Sequence, residues 1–174
     1  MTSNQNIIQA ARRNAIENDK HSGCAQAVLG ALQQALDLGN AQSFRSATAL
    51  SGGVARRGET CGALLGALMA LGILIGRDRM EDTETYSRTV DISQRVVQSF
   101  QAGVQREFSL EDALPSTLCR DIQARLYGRS FDLRNPDERA LFLEAGGHSE
   151  NGCPAVCGVA AEVAARELLK LREE

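Results

Sequence analysis

The charge-free run from Thr60 to Gly76, within "GETCGALLGALMALGILIGRDR", constrains the fold more than any other stretch of this chain. A helix this apolar is either buried on every side or lies in a bilayer. A span needs about 20 apolar residues. This run is shorter, is closed by Arg56, Arg57, Arg77 and Arg79, and begins in glycine and alanine rather than in a lipid-facing surface. The expectation is a core helix, no membrane span, and other helices packed around it.

Composition points the same way. The chain has 174 residues, 43% of them hydrophobic, with no Trp, 2 Tyr and 5 Phe. That is enough apolar material for one domain over 1–174, and abundant Ala, Leu and Gly favour closely packed helices over a sheet. The expected fold is all-α, a single compact bundle of about six or seven helices with the cysteines gathered at one end. Ile7, Ile8, Ala11, Ala15 and Ile16 recur at helical spacing and predict a first helix over 4–18. A second runs through "CAQAVLGALQQALDLG", with Ser22 as N-cap and Gly39 as its stop, and a short one falls in "AQSFRSATALSGG". The apolar run starts its own helix near Cys61. Thr83 to Glu107 reads as a long amphipathic helix marked by Tyr86, Val90, Val97, Phe100 and Val104. "LPSTLCRDIQARLYG" offers Ser116 or Thr117 as cap and Gly128 as stop. "RNPDERALFLEAGG" offers Asn135 as cap and Pro136 at the first helical position, and Pro154 marks the same position in the last helix.

A net charge of -3 with scattered basic residues lacks the polybasic stripe of a nucleic-acid binder, so nucleic acid is not an expected partner. "MTSNQNIIQAARRNAIENDK" has no basic segment followed by an apolar one, so no secretory signal is read and a cytoplasmic location is expected. Thiols there stay reduced, and five cysteines, an odd number, read as metal ligands or redox groups rather than structural bridges.

Four of them, Cys24, Cys61, Cys119 and Cys153, fall in the first turn or at the cap of four separate expected helices. Helix N-termini present unpaired N–H groups and a partial positive charge, which stabilise a thiolate. Converging helix starts would make a thiolate cluster; the bland alternative is that cysteine packs as a small hydrophobe among Ala and Leu. Cys157 follows Cys153 by four and shares its helix face, close enough to join a metal site or to bridge under oxidation.

"CGALLG", Cys61 to Gly66, fits a CGAXXG motif. With "GCAQAVLGAL" before it, "LCRDI" after it and "GCPAV" near the end, the chain resembles the redox-active protein family C_GCAxxG_C_C over about Cys24 to Leu169. The resemblance maps the family's four cysteines onto Cys24, Cys61, Cys119 and Cys153, with Cys157 as an addition. It implies a redox-active or metal-binding protein; a related domain of split-Soret cytochrome c carries an iron-sulfur cluster beside its haems. The chain has no C-x-x-C-H haem attachment site.

Three chemistries follow from these thiols. The favoured one is an iron-sulfur cluster, [2Fe-2S] or [4Fe-4S], held by the four cysteines for electron transfer with an unidentified redox partner. The second is structural zinc on the same ligands, with Cys157 as a further candidate metal ligand. The third is thiol-disulfide exchange, with Cys61 as the catalytic nucleophile, Arg56 and Arg57 favouring its thiolate, and Cys153 and Cys157 as the resolving pair. Gly62 and Gly66 form a smooth face for close helix packing, either inside the chain or as the seam of a homodimer. His21 and His148 are conceivable nitrogen ligands, His148 the better placed. "GVARRGET" nearly completes a phosphate-binding loop, but Glu59 stands where a lysine must meet phosphate, so nucleotide binding is not expected.

Overall fold

The computed structural model describes residues 2–173, all helices and loops apart from one isolated backbone bridge. Eight α-helices are present among the described residues, against the six or seven expected. They are α1 (Ser3–Asp19), α2 (Cys24–Leu36), α3 (Ala41–Ser46), α4 (Gly62–Ile75), α5 (Thr83–Glu107), α6 (Cys119–Tyr127), α7 (Pro136–Glu144) and α8 (Cys153–Glu173). The short α3 stands as a helix of its own because the Asn40 side chain accepts from the N–H groups of Gln42 and Ser43. A single 3-10 turn, Thr48–Leu50, follows it.

The apolar core is built by α1, α2, α4, α5 and α8, with α8 against all four others and α2 between α1 and α4. Its side chains are mostly small: Ala11, Ala15, Ala25, Ala31, Ala67, Ala160 and Ala165 are fully enclosed, with Leu29, Leu32 and Phe100 as the large fillers. Small residues let backbones approach. Gly66 shows how far, since a Cβ there would lie 2.3 Å from the carbonyl oxygen of Ala25 on α2. The glycine face of α4 is thus taken by α2 of the same chain and supplies no dimer seam. Arg12 ties three helices together through Glu107 (2.7 Å) and Glu162 (3.1 Å).

The apolar run forms α4 as expected, and no helix of the described residues is long and apolar enough to cross a membrane. It is not buried on every side, however: Leu65, Leu68 and Met69 are only half-buried, and Gly72 and Ile73 in the last turn reach solvent. On α5, Phe100 and Val104 are buried while Tyr86 and Val90 are exposed, because the helix enters the core only from Ile92 onward. Helix ends also moved. Ser22 and Gly23 both take positive φ (65° and 107°), so the chain turns into α2 without a side-chain cap, and Asp37 (φ 48°), not Gly39, ends it. The N-cap of α6 is Leu118; Ser116 acts one step earlier, accepting from the Leu118 N–H and donating to Asp121. Gly128, Asn135 and Pro136 stand as read, and Pro154 is the second residue of α8, after Cys153.

Candidate functional site

Cys24, Cys119 and Cys153 are the first residues of α2, α6 and α8, and Cys61 is the N-cap of α4. These four helix starts converge. All four thiols, with Cys157 one turn into α8, line a single cleft of about 470 Å³ at one end of the bundle. All five are free thiols.

Local structure fixes each sulfur. Thr60 and Leu118 form the isolated antiparallel bridge, with Cys61 N–H donating to Thr117 (2.9 Å) and Cys119 N–H to Glu59 (2.6 Å). Two residues far apart in sequence are thereby locked side by side. Gly62 is needed because a Cβ there would lie 2.5 Å from Cys24 Sγ, and Gly53 because its Cβ would lie 2.7 Å from Cys119 Cβ. On α6, Gln123 donates to Cys119 Sγ (3.8 Å) while its carbonyl oxygen accepts from Phe131 N–H (3.0 Å). Tyr127 donates to Cys153 Sγ (3.6 Å) and packs edge-on with Phe131 and Phe142. Sequence reasoning missed both, although positions 119, 123 and 127 share one helix face.

The electrostatics differ from the expectation of ready thiolates. Enclosure pushes the Cys24 thiol up to about 12, and the charge of Cys61 would raise it further; the Gly52 N–H and the Ser51 hydroxyl oppose this weakly. Burial likewise raises Cys61, against the N–H groups of Ala63 and Leu64, which face its sulfur without closing a cap hydrogen bond. Cys119, Cys153 and Cys157 are raised for the same first reason, and each is raised further by neighbouring cysteines. Desolvation outweighs the helix N-termini. Neither Arg56 nor Arg57 is among the groups that act on Cys61; the charge that does is Asp19's, and it raises the thiol.

Asp19, the last residue of α1, is only 1% exposed, lines the cleft, and has no hydrogen-bond partner on either carboxylate oxygen. His148 Nδ1 lies 3.5 Å from it, near enough for an ion pair when protonated but not aligned as a hydrogen bond. His148 lines the cleft and packs edge-on to Phe142, whereas His21 is exposed and outside it. The sequence signal for Asp19 was present: Ile8, Ala11 and Ala15 are the buried face of α1, and position 19 continues it.

The near-phosphate-loop stretch is a left-handed turn with no strand before it. Gly52, Gly53, Val54, Ala55 and Arg56 all have φ between 51° and 68°. For the three non-glycine residues this costs about 1–2 kcal/mol each. Ala55→Gly is therefore expected to stabilise the protein by roughly 0.5–1 kcal/mol after glycine's own entropic penalty, read as a higher urea midpoint. A lower midpoint would mean the turn carries no strain.

Among the described residues, no group of three or more His, Cys, Asp or Glu side chains is arranged to hold a metal ion. No curated protein and no solved structure matches the chain. A family model, described as Putative redox-active protein (C_GCAxxG_C_C), matches residues 22–167, and the chain belongs to that family.

Proposed function

We propose that this member of a redox-active family is one domain over 1–174 that holds an iron-sulfur cluster on Cys24, Cys61, Cys119 and Cys153 and exchanges electrons with a protein partner. The observation that carries the reading is the convergence of four helix-start cysteines on one cleft. The donor set fits: four sulfurs satisfy either a [2Fe-2S] or a [4Fe-4S] centre, and the missing Cβ of Gly62 leaves room for the Cys24 sulfur. Bound there, a cluster would supply one-electron chemistry at a potential set by enclosure and by N–H groups aimed at sulfur. The chain's own residues do the rest. Ala63, Leu64 and Gly52 turn N–H groups toward Cys61 and Cys24, Gln123 and Tyr127 hold the other two sulfurs, and the core of α1, α2, α4 and α8 keeps water from the site's inner side.

The competing chemistries are less well served. Structural zinc would take the same four donors at about 2.0–2.3 Å but supplies no redox chemistry, which the family's description carries. Thiol exchange needs a low-pKa nucleophile, and Cys61 is shifted the other way.

Protein purified without oxygen is expected to be coloured and to contain iron and acid-labile sulfide in stoichiometric amounts. Cys61→Ser abolishes both, and Cys157→Ser retains them. Colourless wild-type protein without iron would overturn the reading and turn attention to free-thiol titration against reductant.

A further inference from the structure

The cleft has features that holding a cluster does not require. Its volume of about 470 Å³ lies within the usual range for small-molecule sites, and Ala55, Ile122, Leu133, Phe142 and Val156 give its walls an apolar share. Two arginines stand at its edge from different parts of the chain, Arg56 from the left-handed turn and Arg139 from α7. Both are exposed, and neither guanidinium has an ion-pair or hydrogen-bond partner among the described residues. Most arginines elsewhere in this protein are paired, as Arg12, Arg95, Arg120 and Arg129 are. Arg56, moreover, is brought to the cleft by a backbone conformation that L-residues avoid, and strain of that kind collects where a side chain must be aimed.

The inner end has the opposite character. Asp19 presents two unpartnered carboxylate oxygens there, with His148 beside them. A molecule entering with an acidic group inward would meet that carboxylate, whereas one entering with its acidic group outward meets two free guanidinium groups. We propose that the cleft binds a small organic anion, a carboxylate or a phosphate on an apolar body, with its head group on Arg56 and Arg139 and its body directed toward the cysteines. The inference stands on the cleft and its arginines and not on the cluster, so either can fail without the other.

Calorimetric titration of the purified chain with hexanoate, hexyl phosphate and hexan-1-ol tests it. At least one of the two anions binds, the tighter one identifying the head group, and hexan-1-ol binds at least tenfold more weakly. R56Q and R139Q each weaken the anion about tenfold, the loss of one charge-assisted hydrogen bond, while R13Q on α1 changes nothing and controls for net charge. Both arginines are exposed, so unchanged thermal melts of the variants confirm folding. Hexan-1-ol binding as tightly as the anions, no binding of either anion, or undiminished anion binding by the R56Q/R139Q double variant would overturn it.

Discussion

Gly66→Ala lowers the stability of this protein by about 3 kcal/mol, the upper part of the range for overpacked cores. The added methyl would sit 2.3 Å from the Ala25 carbonyl oxygen, 3.1 Å from its carbon and 3.2 Å from the Leu29 nitrogen. All three are backbone atoms of α2, so no rotamer change relieves the clash and α2 and α4 must separate. Those two helices carry Cys24 and Cys61 at their starts, so the loss of stability is accompanied by a loosened site, visible as faster alkylation of Cys61. Gly72→Ala provides the contrast on the same helix. Nothing lies within 4 Å of its Cβ position, and a helix-interior Gly→Ala there stabilises by about 0.5–1 kcal/mol. Paired denaturant titrations read both. If the two substitutions shift the midpoint in the same direction, close backbone approach is not what Gly66 is for.

How far the fold could be read in advance follows from where the information lies. Helix α5 matches its expected limits, and α7 its cap, because periodicity over 25 residues and an Asn-Pro start are local signals. The start of α2 departs from the expected cap because serine beside glycine has two outcomes: a side-chain cap, or the pair of positive-φ residues that Ser22 and Gly23 adopt. The contact that accompanies the second outcome comes from outside the segment: the Ser22 hydroxyl lies 3.4 Å from His148 Nε2. The four cysteine positions were legible for the same reason as the helices, each lying at a capping or first-turn place in its own segment. What joins them was not. The Thr60–Leu118 bridge pairs residues 58 positions apart, and the left-handed turn at 52–56 uses valine and alanine where local preference would not place them. The thiolate expectation erred in weight rather than in kind: the N–H groups are there, but enclosure, which no single segment reveals, acts more strongly.

That enclosure has a large consequence at alkaline pH. In metal-free protein at pH 7 the thiols are protonated whether the chain is folded or unfolded, and they add nothing to the pH dependence of stability. Above about pH 8.5 the thiols of the unfolded chain ionise, while in the folded chain burial holds Cys24 protonated to about 12 and raises Cys61, Cys119, Cys153 and Cys157 as well. The folded state then binds more protons than the unfolded one, so stability falls as pH rises, by up to about 1.4 kcal/mol per pH unit for each thiol. With five thiols raised together, several kcal/mol are lost within about two pH units, a large part of the stability of an ordinary domain. Urea midpoints of the metal-free protein are therefore expected to be level from neutral pH to about pH 8.5 and to drop steeply beyond it. Asp19→Asn makes the drop shallower, since the Asp19 carboxylate is a secondary cause of the rise at Cys24, Cys61, Cys153 and Cys157. A midpoint that stays level to about pH 10.5 would show that the sulfurs are not enclosed as described. The same linkage acts on assembly of the site. Sulfurs that bind iron must first give up their protons, so loading of the metal-free protein with iron and sulfide becomes more favourable with each step above neutrality, until the alkaline loss of the fold overtakes it.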